Sequence, residues 1–449
     1  MSIAKRLKAK AISTWLGPTG DAARRAVFSV KERISKEPRR LDFYFDVRDP
    51  WSYLTAQALS RLLEAYPVEF TFTTITPPAS DVDPAPHLRP KYALRDSQYL
   101  AEYWDVEFAG KKEPDSGMVR DIGTCLIRKR PARDQLTAAL ELSKALWSID
   151  RKQLVVLLGT WGSESHGSVA PIINAAYAEL RKAGHYQGAM IHYGGTWYWG
   201  IDRLPFLEAE LAKDLGTDLA HVVTVRPETD RGPLKLSEKP LTCEMWFSFR
   251  SPYSYIALEQ IQGILAPYAI PLVLRQVAPM VVRGLPLPSV KRMYIVRDAK
   301  READRLGIPF GELVDPLGAA VDNCLAVMHW ANQRSPADGI AFARSAARGI
   351  WSEAKDPGEY VDLRQLVERA GLPWDEARAA LGAPAAATAA HENATDLDGA
   401  GLWGVPSFRI GDFVVWGQDR LALLADRLRR HALATADTAG RPDPDAHAR

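Results

Sequence analysis

An eleven-residue segment occurs twice in the chain, and its two copies differ at one position of chemical interest. Residues 43–53 read FYFDVRDPWSY and residues 245–255 read MWFSFRSPYSY, with five of the eleven positions identical. Asp49 in the first copy corresponds to Ser251 in the second. The copies therefore differ where a nucleophile would lie. This difference points to the half that begins at residue 241 as the functional one.

Two further matches extend the repeat over most of the chain. Residues 184–204 align without gaps to residues 401–421, with seven of 21 positions identical. A period of about 200 residues indicates duplicated domains, because solenoid repeats are only about 20–50 residues long. Four more identities share the offset of 202 that relates the first pair of segments: Tyr92, Arg95, Asp96 and Phe108 correspond to Tyr294, Arg297, Asp298 and Phe310.

Composition limits the class of protein. With 449 residues, the chain is long enough for two or three domains, each with its own core. A hydrophobic content of 47% and a charged content of 25% are typical of a soluble globular protein. The net charge of +2 argues against nucleic acid as a partner. No run of 18 apolar residues occurs, so we expect no membrane span.

The cysteines and histidines predict neither a redox centre nor a metal site. Cys125, Cys243 and Cys324 are widely spaced and form no C-x-x-C motif, which fits a reducing cytoplasm. His329 and His391 are isolated, without the spacing of metal ligands. We therefore expect a cytoplasmic protein without a metal.

The sequence predicts five regions. Residues 1–40 form a basic extension with the pattern of an amphipathic helix, which either packs on the body or, less favourably, contacts a membrane surface. Residues 41–223 form the first domain, and residues 224–240, rich in proline and charged residues, form a linker. Residues 241–433 form the second domain, and residues 434–449 form a disordered tail.

Each copy opens with a strand, a helix and a second strand, and each closes with a hairpin and a last helix. Helix-prone sequence lies between the second strand and the hairpin. This order predicts an α/β protein of two tandem thioredoxin-like domains, each with a central mixed sheet and an inserted helical subdomain. Val405-Pro406, just before a predicted strand, lies where that fold keeps a cis-proline. The predicted strands are 41–47, 68–74, 241–249, 271–276, 407–410 and 413–416.

Ser251 is the principal candidate for chemistry. Pro252 follows it at the predicted start of a helix, where unpaired N–H groups and the helix dipole stabilise an anion such as a thiolate. The hydroxyl can also donate a hydrogen bond that favours the charged form. The alternative is that Ser251 only caps the helix. Its combination with Val405-Pro406 and the Trp-Gly-x-Asp-Arg motif favours a functional role.

Five other residues are weaker candidates. Asp419 and Arg420 open the last predicted helix, either as a cap with a solvent-facing arginine or as a binding site for a ligand's ammonium group. Arg250 is interpreted preferentially as a surface or ion-paired arginine, and otherwise as a cation that lowers a thiol pKa. Tyr253 and Trp416 are aromatic residues that pack in the core or line a pocket for a flat substrate.

Five motifs within residues 241–430 together resemble the 2-hydroxychromene-2-carboxylate isomerases and the related kappa-class glutathione transferases, of the DsbA-like thioredoxin superfamily. Residues 41–210 resemble the same family more weakly. The motifs occur in the family's order at residues 247–255, 291–298, 307–310, 404–408 and 416–421.

The resemblance implies glutathione as cofactor. It implies that Ser251 contacts the glutathione sulfur, that Val405 with Pro406 pairs with the glutathione backbone, and that Asp419 helps to hold the γ-glutamyl end. Arg420, beside Asp419, is grouped with these cofactor-binding residues, and Arg250, Tyr253 and Trp416 with the substrate pocket. The implied reaction is an isomerisation of an aromatic or electrophilic small molecule by reversible thiolate addition.

The chain departs from the family's pattern in both halves. The family's asparagine in the loop after the second strand has no counterpart within residues 277–284. The first copy carries Asp49 in place of the serine and Ala189 in place of the cis-proline. An ionised Asp49 would repel a thiolate, so we expect the first domain to be silent and to serve packing, dimer-like pairing or closure of the substrate pocket. The duplication further predicts an internal pseudo-dimer, active as a monomer.

Two alternatives stay open at this point: a kappa-type glutathione transferase, and a non-catalytic thioredoxin-fold binding protein. A thiol–disulfide oxidoreductase is disfavoured, because Ser251 and Ser254 occupy the positions where two cysteines are needed.

Overall fold

The structure is a computed structural model that describes residues 3–17, 20, 22, 23, 26, 39–227 and 230–439. These residues divide into two compact units. The N-terminal unit contains the described residues of Ala22–Asp230 and Pro288–Lys291. The C-terminal unit contains those of Met1–Asp21, Arg231–Leu287 and Arg292–Arg449, and so includes the first helix, α1 (Ile3–Leu16).

The N-terminal unit is built on a four-stranded mixed sheet with strand order β2-β1-β3-β4. The central strand β1 pairs in parallel with β2 and antiparallel with β3, which forms a hairpin with β4. Its strands are β1 (Arg40–Phe45), β2 (Glu69–Thr74), β3 (Met190–Tyr193) and β4 (Thr196–Trp199). Its helices are α2 (Pro50–Ala65), α3 (Arg89–Trp104), α4 (Ser116–Leu126), α5 (Ala132–Ser148), α6 (Arg151–Trp161), α7 (His166–Ala183) and α8 (Leu204–Leu215).

The C-terminal unit is built on a second sheet with the equivalent order, β6-β5-β7-β8. Again the first strand pairs in parallel with the second and antiparallel with the third. Its strands are β5 (Cys243–Phe247), β6 (Leu272–Gln276), β7 (Ser407–Ile410) and β8 (Phe413–Trp416). Its other helices are α9 (Pro252–Leu265), α10 (Ser289–Leu306, which belongs to this unit from Arg292 onward), α11 (Ala319–Arg334), α12 (Pro336–Ser352), α13 (Tyr360–Arg369), α14 (Trp374–Ala379), α15 (Pro384–Gly399) and α16 (Leu421–Ala439).

The central strands form because their apolar residues face helices on the sheet. In β1, Leu41, Phe43 and Phe45 alternate with less buried residues and are fully buried, as a period of two requires. In β5, Met245, Trp246 and Phe247 are fully buried in succession after the half-buried Glu244. The predicted α/β class with mixed sheets and inserted helices is therefore confirmed as a thioredoxin-like fold. A DsbA-like identity of the N-terminal half stays a prediction.

The end of the chain differs from the predicted disordered tail. Helix α16 continues to Ala439, so residues 434–439, predicted to lie in a disordered tail, are helical, while 440–449 lie outside the described residues. The second half of the predicted linker packs on this helix. Arg231 forms a buried ion pair with Asp426 at 2.7 Å, and the N–H of Leu234 donates to the carbonyl of Arg430. A buried charge pair fixes this part of the segment to the C-terminal unit.

The predicted N-terminal extension contains the helix α1, whose last turn packs on the C-terminal unit. Leu16 is only 2% exposed, and the guanidinium of Arg297 on α10 lies 4.5 Å from the ring centre of Trp15. The side chains of the basic residues Lys5, Arg6 and Lys8 lie outside the described ones. No helix in the described part of the chain has the length and apolar character needed to cross a membrane.

Candidate functional site

Ser251 begins helix α9, as the sequence predicts. It adopts an extended backbone conformation, and its Oγ accepts a hydrogen bond from the N–H of Ser254 at 3.1 Å. Pro252 occupies the first helical position, where its missing N–H costs no hydrogen bond. Ser251 is half-buried. The serine is therefore an N-cap, which was the alternative interpretation of its sequence position. The contacts of its hydroxyl decide whether it has a second role.

The same hydroxyl reaches the peptide that precedes β7. Ser251 Oγ donates to the carbonyl of Val405 at 3.1 Å, across 154 residues of sequence. The Val405–Pro406 peptide bond is cis. The fold thus brings together the helix N-terminus and the Val405–Pro406 peptide.

The Trp-Gly-x-Asp-Arg motif is attached to the same place. The N–H of Gly417 donates to the carbonyl of Pro406 at 2.9 Å, and the ring of Trp416 lies against Gly404. A Cβ on Gly404 would lie 2.4 Å from Trp416 Nε1, so only glycine allows this approach. Trp416 also packs on Trp403, with ring centres 5.0 Å apart. Trp416 thereby supports the loop that carries Val405.

Asp419 and Arg420 follow in a short 3₁₀ turn (Gln418–Arg420) that precedes α16. Asp419 Oδ1 lies 3.3 Å from Arg420 Nη1, and both side chains are largely buried. Gly417 has a positive φ of 112°, and a Cβ there would lie 2.3 Å from Asp419 Oδ1. A glycine at position 417 is thus required for Asp419 to occupy this position, two residues after the N–H that contacts the Pro406 carbonyl.

Arg250 is ion-paired, as the favoured interpretation of the sequence expects. Its Nε and Nη2 donate to the two carboxylate oxygens of Asp315 at 2.6 and 2.9 Å. The side chain of Arg250 is 8% exposed, whereas that of Asp315 is 51% exposed. This two-point pair neutralises most of the charge that Arg250 would offer a neighbouring thiol.

Tyr253 forms a hydrogen bond that has an equivalent in the N-terminal unit. Its hydroxyl donates to Asp298 on α10 at 2.7 Å, and Arg301 also donates to Asp298. In the N-terminal unit, Trp51 Nε1 donates to Asp96 at 2.8 Å, and these two residues are the sequence counterparts of Tyr253 and Asp298. Because the bond persists where the serine is lost, it serves the scaffold of each unit. It also fixes the orientation of the Tyr253 ring, two residues after Ser251 in the chain.

The equivalent place in the N-terminal unit is filled by its own side chains. Asp49 caps α2, and its carboxylate also accepts from Ser52 Oγ at 2.8 Å. Ser52 Oγ accepts in turn from the N–H of Ala189, which replaces the cis-proline. A Cβ on Gly188 would lie 2.7 Å from Ser52 Oγ and 3.1 Å from Asp49 Oδ2. Close packing and a buried carboxylate leave this place unsuited to a thiolate.

Sequence reasoning missed one charged residue near the site. Arg283 lies in the loop after β6, and its Nη1 donates to the carbonyl of Trp403 at 3.0 Å. An arginine in an irregular loop carries no periodic signal, and the resemblance directed attention to an amide at this loop. Its only sequence signal is its place in the loop that departs from the family's pattern.

The cysteines contribute no reactive thiol to the site. Cys125, Cys243 and Cys324 are buried and free. Burial raises the pKa of all three thiols, that of Cys243 to about 12. A thiol that stays protonated is a poor nucleophile. Within the described ranges, no group of three His, Cys, Asp or Glu side chains is arranged to hold a metal ion.

Comparison with known proteins links the second half of the chain to a domain family. Residues 242–429 match the DSBA-like thioredoxin domain, which is fewer than half of the 449 residues. The 2-hydroxychromene-2-carboxylate isomerase of Sphingobium xenophagum is 26% identical over 197 residues, covering 42% of this chain and 97% of the relative. That of Pseudomonas putida is 27% identical over 206 residues, covering 43% and 97%.

Solved structures show weaker overall similarity. A 2-hydroxychromene-2-carboxylate isomerase is 24% identical with a TM-score of 0.38, covering 44% of this chain and 98% of the other. The cytosolic disulfide reductase DsbM from Pseudomonas aeruginosa is 17% identical with a TM-score of 0.34, covering 44% and 98%. The sequence matches establish a DSBA-like domain and distant isomerase relatives.

Proposed function

We propose that the chain is a glutathione-dependent isomerase of a small aromatic or electrophilic molecule, with its active site at Ser251. The observation that carries this proposal is the hydrogen bond of 3.1 Å from Ser251 Oγ to the carbonyl of Val405. It joins the helix N-terminus to the peptide that the resemblance assigns to the cofactor backbone. The names of the curated relatives, 2-hydroxychromene-2-carboxylate isomerases, support the reaction type.

The surroundings of Ser251 suit a thiolate. Its Oγ lies at the N-terminus of α9, a helix of 14 residues, where the dipole favours negative charge. The hydroxyl carries one hydrogen, which the Val405 carbonyl accepts. Rotation about the Cβ–Oγ bond redirects this hydrogen to an anion while the oxygen stays in place and still accepts from Ser254 N–H. A hydrogen bond to the charged form of a thiol lowers its pKa and raises the nucleophile's concentration.

In addition to Ser251, four residues are assigned to cofactor binding. Val405 and Pro406 pair with the peptide backbone of glutathione, and Asp419 with Arg420 binds the γ-glutamyl end. When bound, glutathione supplies a thiolate whose reversible addition to a conjugated carbon permits bond rotation. Ser251 stabilises the sulfur's negative charge before addition and after release. Because the thiolate that adds is released unchanged, the isomerisation is redox-neutral and needs no further reactant.

Three residues border the substrate in this proposal. Tyr253 presents its ring beside Ser251 and is oriented by Asp298. Trp416 packs against the loop of Val405, and Arg250 precedes Ser251 in an ion pair with Asp315. A flat aromatic substrate suits aromatic neighbours, which bury large apolar area with little loss of conformational freedom.

Binding of glutathione to the full chain tests the proposal. We expect calorimetry to show one site per chain, and S-methylglutathione to bind more weakly because it has no ionisable thiol for Ser251. Glutathione should also be required for conversion of 2-hydroxychromene-2-carboxylate. Absence of glutathione binding would reject the proposal. Binding without conversion of this or a related aromatic substrate would leave a transferase or a binding protein.

We also propose that the N-terminal half is a second DsbA-like domain with a silent site. The equal strand orders of the two sheets and the side chains that fill the place around Asp49 support this. Asp49→Asn keeps the cap acceptor, so we expect turnover and glutathione affinity to change less than twofold. The matched change in the other unit, Ser251→Asn, should abolish turnover. Loss of activity in Asp49→Asn would assign a catalytic role to the first domain.

A further inference from the structure

The loop after β6 carries a cation that touches the loop of the cis-proline. The N–H of Arg283 donates to the carbonyl of Pro279 at 3.1 Å, and the N–H of Leu285 donates to that of Met280 at 2.9 Å, which closes the loop into a compact turn. From this turn, Arg283 Nη1 reaches the carbonyl of Trp403 at 3.0 Å. Trp403 precedes Val405 by two residues.

The charge of Arg283 has no close counter-ion among the residues that the structure describes. Within the described part of the chain, no carboxylate forms an ion pair with this half-buried side chain. Burial lowers the pKa of its guanidinium, and only the more distant charge of Asp398 opposes this. Arg250 and Arg420, by contrast, each have a carboxylate partner. A partly desolvated cation without a partner is costly, and an anion bound beside it would offset that cost.

Arg283 also lies at a suitable distance from the site. The carbonyls of Trp403 and Val405 are two residues apart in the chain, so the backbone separates them by at most about 7 Å. A tripeptide is about 10 Å long when extended, so a ligand of that size reaches both. Of the five donors of a guanidinium, the Trp403 carbonyl occupies one. The others remain for a planar acceptor, and a carboxylate matches them in two-point geometry.

We propose that Arg283 binds a carboxylate of the ligand at the Ser251 site and so takes over a recognition task in the loop that departs from the family's pattern. The proposal rests on the proposed function. Two sources of the carboxylate fit this chemistry: the glycine end of glutathione and the carboxylate of the aromatic substrate. In either case Arg283 holds the Trp403 carbonyl with one nitrogen and the anion with others.

Arg283→Gln separates the hydrogen bond to the Trp403 carbonyl from the binding of the carboxylate, because a glutamine can donate to the carbonyl but carries no charge. The control is Arg378→Gln, which removes the same charge from an exposed position on α14. We expect Arg283→Gln to weaken the binding of one ligand roughly 10- to 100-fold, as for lost hydrogen bonds to charged groups. Arg283→Lys should recover part of the loss, and thermal melting should show all three variants folded.

The ligands used in the assay identify the source. If Arg283 binds the tripeptide, Arg283→Gln raises the Kd of glutathione, and both proteins bind glutathione amidated at its glycine carboxylate equally weakly. If it binds the substrate, the KM for 2-hydroxychromene-2-carboxylate rises and the Kd of glutathione stays unchanged. Unchanged Kd and KM would overturn the role of Arg283 alone. Failure of the wild-type chain to bind glutathione would overturn the proposed function as well.

Discussion

Removal of the Ser251 hydroxyl should lower turnover by roughly 100-fold while glutathione affinity changes only a few-fold. The reason is that a donor aimed at an anion stabilises the charged, reactive form far more than the neutral one. Without the hydroxyl, the pKa of the bound thiol rises, so the rate should recover partly at higher pH. The measurements are kcat as a function of pH and calorimetric Kd for wild type and Ser251→Ala.

The cap role of Ser251 requires a second variant. Loss of a serine N-cap costs about 1 kcal/mol when alanine replaces it, but only a few tenths when glycine does. Ser251→Ala and Ser251→Gly both lack the hydroxyl that contacts Val405. We therefore expect equal losses of turnover and unequal losses of unfolding free energy. If turnover instead followed stability, so that Ser251→Gly stayed close to wild type and Ser251→Ala did not, Ser251 would serve only as a helix cap.

Thr388→Ala is the matched control for these variants. Thr388 is an exposed hydroxyl residue on α15 that donates only to the carbonyl of Pro384 in its own helix. It makes no contact with the Ser251 site, so turnover should stay within twofold of wild type. A similar loss in this variant would show that the assay reports the stability of the C-terminal unit.

The parts of the fold that the sequence predicted best are short, periodic and bounded by turns. The hairpin of β7 and β8 occupies the predicted residues 407–410 and 413–416, because two apolar-rich segments flank a Gly-Asp turn. The first strand of each unit was also predicted, with boundaries off by up to two residues. In these elements local pattern and tertiary burial agree.

Helices with polar buried faces were not predicted. The buried residues of α10 include Asp298 and Glu302 beside Ala299 and Ala303, so its sequence has no apolar stripe. Glu302 is neutralised by Arg305 and Asp298 by Arg301, both one turn further along the helix. These ion pairs allow carboxylates to face the interior. A periodicity argument that counts only apolar residues cannot detect such a helix.

The site was predicted in its backbone framework but not in its side-chain partners. Ser251 and the Val405–Pro406 peptide are named by motifs, and the structure brings them into contact. The partners Asp315 of Arg250 and Trp403 of Arg283 are separated from them by 65 and 120 residues. Such contacts depend on loop conformations without local sequence signals. The charge balance around the site therefore follows from the tertiary structure.

Replacement of Asp46 by asparagine should stabilise the N-terminal unit by up to about 4 kcal/mol above pH 7. Asp46 follows β1, and its Oδ1 accepts from the N–H of Arg48 at 2.9 Å. Burial, followed by the nearby charge of Asp49, raises the pKa of Asp46 from 3.8 to about 7. This difference in pKa corresponds to a preference of roughly 4 kcal/mol for the protonated form of Asp46 in the folded unit.

The sign of the effect follows from proton binding. Between pH 3.8 and about 7 the folded unit holds a proton on Asp46 that the unfolded chain has released, so stability falls as pH rises through this window. Asparagine keeps the acceptor oxygen for Arg48 N–H and cannot ionise. The variant should therefore match wild type near pH 3.5 and exceed it most above pH 7. Hydrogen exchange of peptides from β1 and α2 at several pH values measures this difference.

Asp42, within β1, supplies a control of opposite sign. Burial raises the pKa of Asp42, but hydrogen bonds with His192 and Thr71 outweigh it, so the pKa is lowered. Asp42→Asn should therefore destabilise the unit at pH 7, and the difference should vanish as pH falls below 4. Equal pH profiles for the two variants would contradict the assignment of a protonated Asp46. Because Asp46 and Asp49 together bury two acids where the other unit has Ser248 and Ser251, the N-terminal unit carries an electrostatic cost that the C-terminal unit avoids.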